Sequence, residues 1–217
     1  MTDTRTKTPR ERYRTQVRAE IKEHAWEQIA AAGASALSLN AIAKRMGMSG
    51  PALYRYFAGR DELITELVRD AYRSLADTFR TVAGAGAGAD LAGLAHALRA
   101  WALDDPQRYF LVFGTPVPGY HAPDDVTEIA SETMAVILDA CAALPSDRPA
   151  APFDAHIEGH REWAAGHPAA PAVLRRALTV WTRLHGVLSL ELAGHFTGMA
   201  FDPARLYAAE LDDLLER

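Results

Sequence analysis

A chain of 217 residues, 49% of them hydrophobic and 24% charged, is long enough for one large core or two smaller ones and too apolar to be disordered. Its single cysteine, Cys141, excludes an internal disulfide, and no apolar run is long enough to span a bilayer. The net charge of −5 hides an asymmetry: residues 1–60 hold eleven basic residues against five acidic ones, so this part stands at +6 and the remainder at −11. A basic head on an acidic body directs any polyanionic partner to the head. No apolar stretch follows the basic N-terminus, so no secretory signal is expected there, and the protein is expected to be cytoplasmic.

Val, Ile and Thr form no alternating runs, and the expected fold is all-α. Residues 1–13 are polar, include Arg5, Lys7 and Pro9, and are expected to be a flexible basic arm. Val17, Ile21, Ala25 and Ile29 recur every four residues and predict an amphipathic helix from about Thr15 to Ala32, ended by Gly33. Ser38 is a candidate N-cap for a short helix carrying Leu39, Ile42, Ala43 and Met46 and stopping at Gly47. Ser49 is the next candidate cap, with Pro51 in a first turn and Leu53, Tyr54 and Phe57 following. Beyond Gly59, Asp61 and Glu62 suit the positive end of a helix that runs through Leu63, Leu67 and Leu75 towards Val82. The GAGAGA run from Gly84 to Ala89 is expected to be a loop or linker.

Three helices, the last two joined by a short turn containing Gly47, are the parts of a helix-turn-helix. Small residues at the start of the third helix would let it approach a major groove closely. The segment ALSLNAIAKRMGMSGPALYRYFAGRDEL, Ala36 to Leu63, resembles the TetR helix-turn-helix almost position for position. Ile42-Ala43, Gly47, Ser49, Leu53-Tyr54, Tyr56-Phe57 and the Arg60…Leu63 spacing carry the likeness, with Arg60 standing where that family usually has Lys. The resemblance implies that Ser38, Lys44, Tyr54, Tyr56 and Arg60 hold the DNA backbone, and that Gly50, Pro51 and Arg55 lie nearest the bases. Ser49 joins this DNA-binding set, although Ser38 and Ser49 are caps before they are phosphate ligands. The resulting organisation is an arm (1–13), a helix-turn-helix domain (14–60) and a helical effector-binding and dimerisation domain (61–217).

In that last region helices are predicted at about 90–104, 106–113, 124–144, 153–165, 169–197 and 203–216, separated mainly by prolines. The helix from Ala169 to Thr197 is apolar on more than one face, with Leu174, Leu178, Trp181, Leu184, Leu188 and Leu192 on one stripe and Val173, Val180 and Val187 on another. Such a helix must be covered on both sides, so Leu184, Leu188, Leu192 and Leu211 are expected in a homodimer interface. The segment WTRLHGVLSLELAGHF, Trp181 to Phe196, is similar to the TetR subgroup with a Trp/His-Gly C-terminal signature, and so is LRAWALDDPQRYFLVFGTPVPGY upstream. From an aromatic set that also includes Tyr109, Tyr120 and Trp163, the expected wall of a small, largely apolar effector is Trp101, Phe110, Phe113, Trp181 and His185.

An enzyme would need a different constellation. His156 and His160, with Glu158 and His167 nearby, have the spacing of two metal ligands on one helix face, the basis of a metallohydrolase alternative. They lie in no HExxH pattern, and Gly159 and Gly166 weaken the helix, so no metal site is assigned. GAGAGA lacks the Lys and Ser/Thr of a P-loop, and no G-x-S-x-G elbow occurs. The expected protein is a non-enzymatic, operator-binding regulator without a cofactor; a DNA-binding protein lacking ligand control is the third class.

Overall fold

The structure, a computed structural model, describes residues 8–84, 90–145 and 149–216, which contain helices and turns and no strand. The first helix, α1 (Pro9–Ala32), begins earlier than its apolar period. The Glu11 N–H donates to Thr8 Oγ1 at 3.3 Å and the Glu11 carboxylate accepts the Thr8 N–H at 2.7 Å, a reciprocal capping box. Pro9 occupies the first helical position, where its missing N–H costs nothing. The expected arm of residues 1–13 is therefore too long: Arg10 and Arg12 are helical, while Arg5 and Lys7 lie outside the described residues.

Next come α2 (Leu39–Arg45), α3 (Gly50–Leu53) and the long α4 (Arg60–Gly84). The described residues fall into two compact units that divide inside α4, one comprising 8–70 with 115–122 and the other 71–114 with 123–216. The expected boundary after residue 60 is thus too early, because α4 runs unbroken past it. The linker expected at Gly84 to Ala89 lies outside the described residues except for Gly84, the last residue of α4. In the first unit, Val17, Ile21, Ala25 and Ile29 of α1 are buried, as are Ile42, Leu53, Phe57 and Leu63 from the segments that follow.

The second unit contains α5 (Leu91–Asp104), α6 (Pro106–Phe113), α7 (Asp124–Ala143), α8 (Pro152–Glu158), α9 (Pro171–Leu192) and α10 (Pro203–Leu215). The predicted helix at 153–165 stops at Glu158 and gives way to a 3-10 turn at Glu162–Ala164, and the one at 169–197 stops at Leu192 ahead of Gly194, whose φ is +77°. Gly114 follows α6 as its C-cap, where a Cβ would stand 2.5 Å from the Phe110 carbonyl oxygen and only glycine fits without a shift.

Helix α9 packs against α5, α7, α8 and α10 of its own chain. Its two-sided apolarity is met there: Leu184 and Leu211 are 2% exposed and Leu188 is 0% exposed. These three leucines are core residues and cannot form the dimer surface assigned to them; Leu192, half-buried, also packs on this core. Cys141, as its apolar surroundings suggest, is buried, and burial pushes its thiol pKa up to about 11.

One buried cation orders the packing of α7 on α9. Arg176, 7% exposed, donates from Nη1 to the carbonyls of Cys141 and Leu144 at 3.1 Å and from Nη2 to that of Pro145 at 2.6 Å. These carbonyls close the C-terminal end of α7, where acceptors lack helical partners and the dipole favours positive charge. Arg176→Leu keeps bulk but orphans the carbonyls, and it should cost at least about 2 kcal/mol in urea unfolding. An unchanged midpoint would mean that water satisfies them equally well.

Candidate nucleic-acid interface and ligand pocket

Helix α2 starts at Ser38, whose Oγ accepts the Ala41 N–H at 3.3 Å while its own N–H donates to Gln28 Oε1 at 2.9 Å. It ends in a Schellman motif: Met48 N–H donates to Ala43 O at 2.8 Å, Gly47 N–H donates to Lys44 O at 3.2 Å, and Gly47 has φ +66°. Only a residue without Cβ takes that conformation cheaply, so Gly47 sets the turn between α2 and α3. Helix α3 is a single helical turn that continues as turns through Tyr56.

About half of the basic side chains described in the head are engaged internally. Arg14 Nη2 donates to Arg55 O at 3.3 Å. Arg18 donates to the Tyr56 carbonyl, lies 4.1 Å above the Phe57 ring and pairs with Glu66 at 3.4 Å. Lys22 pairs with Asp70, and Arg45 pairs with Glu27 at 2.9 Å. Arg60 Nη2 donates to the carbonyls of Ala34 and Ser35 at 3.1 and 3.3 Å. Among the described residues, the exposed side chains of Arg10, Arg12, Lys44 and Arg55 form no such bond. Tyr54 is 48% exposed, Ser49 and Pro51 are exposed, and Gly50 and Tyr56 are half-buried. Ser38 is a cap, as expected; Ser49 makes no side-chain capping bond, and only its backbone carbonyl takes part, accepting the Ala52 and Leu53 N–H groups.

A separate cleft of about 300 Å³ lies wholly within the second unit. Its walls include Tyr72 and Leu75 of α4, Phe113 of α6, Thr133 and Met134 of α7, Trp163, and Leu178 and Trp181 of α9. Phe113 meets Tyr72 edge-on at 6.0 Å and Trp181 edge-on at 5.5 Å.

Residues 21–67 match the sequence family described as bacterial regulatory proteins, tetR family, and residues 91–214 match the one described as tetracyclin repressor-like, C-terminal domain. The HTH-type transcriptional regulators Rv1816 of Mycobacterium tuberculosis and Mb1846 of Mycobacterium bovis are each 37% identical to this chain over 212 residues, covering 91% of it and 90% of their own length. The chain belongs to the TetR family. The crystal structure of SCO4313 is 76% identical, covers 97% of this chain and 100% of its own, and superposes with a TM-score of 0.89. A Rhodococcus protein of unknown function, 20% identical over 92% of this chain and 93% of its own, shares the fold alone with a TM-score of 0.65. The chain is thus a TetR-family transcriptional regulator with a helix-turn-helix DNA-binding domain.

Of the five aromatic wall residues expected for this regulator, Phe113 and Trp181 line the cleft, and Trp101, Phe110 and His185 do not. Trp101, 5% exposed, is core, its indole N–H donating to Ser74 Oγ at 3.1 Å. Phe110 packs on the core beside Tyr109. His185 stands behind the wall, its ring 4.0 Å from that of Trp181 and 4.5 Å from that of Phe113. Sequence reasoning missed Tyr72, Thr133, Met134 and Glu162, which carry no local signature and meet only through the tertiary fold. His156 and His160 stack at 4.4 Å, His160 Nδ1 lies 2.9 Å from the His156 carbonyl, and no cluster of three or more metal-ligating side chains occurs among the described residues. No helix among the described residues is long and apolar enough to cross a membrane.

His185 Nδ1 shares a hydrogen bond with Tyr109 Oη at 2.9 Å, which in turn lies 2.9 Å from Ser189 Oγ. Its Nε2 is shielded from solvent and has no hydrogen-bond partner, and burial lowers the imidazole pKa from 6.5 to about 4. A histidine held neutral by the fold contributes stability above its unfolded pKa, and that contribution falls as pH drops towards the folded pKa. Melting temperature should therefore fall between about pH 6.5 and 4. His185→Gln, which cannot titrate, should flatten this part of the profile; parallel profiles would assign the acid loss to other groups.

Proposed function

We propose that this regulator is a homodimeric repressor that reads a roughly palindromic operator and releases it when a small, largely apolar molecule occupies the second unit. The observation that carries the DNA assignment is the division of basic side chains in the head. Arg14, Arg18, Lys22, Arg45 and Arg60 have partners within the chain; of the four exposed basic side chains without such bonds among the described residues, Arg10 and Arg12 lie at the start of α1, and Lys44 and Arg55 flank the turn set by Gly47. Arg55, just beyond α3, is the base reader. Lys44, with Tyr54, Tyr56 and Ser49, holds phosphates; Gly50 and Pro51 keep α3 narrow enough for the groove. Ser38 and Arg60 act mainly by shaping the head, although their remaining valence can still meet a phosphate.

In binding measurements with operator and mismatched duplexes, Arg55→Ala should erode discrimination by about 1–3 kcal/mol. Lys44→Ala should weaken all duplexes alike and reduce the salt slope by about one unit. Arg60→Ala should also lower the melting temperature, because it frees the Ala34 and Ser35 carbonyls. If Arg55→Ala leaves sequence preference intact, its role as base reader is lost. Genome-wide binding at many scattered sites rather than a few promoters would favour a DNA-binding protein without local control.

The dimer is supported by what remains outside the core on α9. Thr182, Gly186 and Leu190 share one exposed face, and Leu190 is 45% exposed. Gly186 has nothing within 4 Å of where its Cβ would be, so a second helix can approach closely. Sedimentation should give about twice the chain mass, and Leu190→Glu should halve it while leaving helicity unchanged. Leu188→Glu would instead put a carboxylate into the monomer core and unfold the chain. A Leu190→Glu variant that stays dimeric would move the interface elsewhere.

A further inference from the structure

The cleft of the second unit has an unbalanced chemistry. Its rings come from Tyr72, Phe113, Trp163 and Trp181, and among its lining residues Glu162 is the one charged group. Glu162 is exposed, and no ion pair neutralises it among the described residues; the adjacent Arg161 is occupied with Glu158 at 2.9 Å and with the carbonyls of His167 and Ala169. Thr133, also on the wall, is 2% exposed and its Oγ1 is shielded from the cleft, so the carboxylate of Glu162 is the polar feature that the cleft offers an occupant.

From this we infer that the cleft selects an amphiphilic monocation, an apolar body bearing an amine or quaternary ammonium, over neutral or anionic molecules of the same shape. This rests on the proposed ligand-binding role of the second unit and adds the charge of the ligand. Aromatic faces attract a cation through their quadrupoles, and this attraction grows as the cation is desolvated. Glu162 at the exposed rim supplies the countercharge, and the ring walls accept the apolar body. An anion would meet the same carboxylate with no base to offset it. A volume of about 300 Å³ admits one phenylalkyl-sized molecule, not a large lipid.

The test uses the full-length protein without DNA and three probes of one skeleton: 4-phenylbutyltrimethylammonium, 4-phenylbutanol and 4-phenylbutyrate, followed by tryptophan fluorescence and calorimetry. The ammonium should bind at least about tenfold more tightly than the alcohol, with the carboxylate weakest. Glu162→Gln, at an exposed position that folding does not depend on, should collapse the preference for the cation while leaving the alcohol affinity within about twofold. Trp181→Leu should weaken the cation and the alcohol together. Equal binding of cation and alcohol, a preference that survives Glu162→Gln, or no binding of any probe would overturn the inference. Operator binding measured separately keeps the two readings apart. A cation that binds without weakening DNA removes ligand-controlled release and leaves the selectivity standing. Release by a molecule that binds without charge preference does the reverse.

Discussion

A helix that is apolar nearly all round cannot be left against water, and the second unit is organised around meeting that constraint for α9. Its buried residues, from Leu174 through Leu188, are covered by α5, α7, α8 and α10 of the same chain. Each fully buried leucine is worth roughly 1.5–3 kcal/mol relative to exposure, so no arrangement that uncovers this stripe competes with the observed one. The buried guanidinium of Arg176 follows from the same packing. Once α7 lies on α9, its terminal carbonyls lose water and need a donor from the neighbouring helix. The cleft follows as well, because its walls are the residues that α9, α7 and α6 leave incompletely filled.

In the head the governing constraint is electrostatic. A surplus of six positive charges in sixty residues suggests a broad phosphate-binding surface, but the structure turns much of that charge inward. Arg14 and Arg18 hold the carbonyls that follow α3, and Arg60 holds those between α1 and α2. Such bonds pre-set the angle at which α3 is presented, so a DNA partner need not do the ordering itself. Net charge therefore identified the right end of the chain while overstating how many cations are available there.

The legible and illegible parts separate along physical lines. Helix positions were readable because the period of Val17, Ile21, Ala25 and Ile29, and the prolines at the starts of α6, α8, α9 and α10, are local signals. Pro9 reads from sequence as part of an arm because a proline before an apolar period marks either a break or a first turn, and the Thr8–Glu11 box decides between them. The dimer leucines were misassigned for a different reason. A two-sided apolar helix says only that both sides are covered, and the sequence does not state by which chain. Of the five residues expected on an aromatic wall, Phe113 and Trp181 line the cleft, while Trp101, Phe110 and His185 do not, a distinction that depends on packing depth.

In the proposed mechanism, coupling between ligand and DNA runs through a difference in ligand affinity between two states of the dimer, since a ligand bound equally by both shifts nothing. Helix α4 is the covalent element suited to carry such a difference. Leu63, Ile64 and Leu67 are buried in the part of α4 that belongs to the first unit, and Tyr72 and Leu75, little more than a turn further on, line the cleft of the second. The run 60–84 is one continuous helix without proline or internal glycine. A tenfold loss of operator affinity corresponds to only about 1.4 kcal/mol, less than the burial of one leucine side chain. The same linkage requires that operator DNA weaken ligand binding by an equal factor, so the head and the cleft are read out by each other.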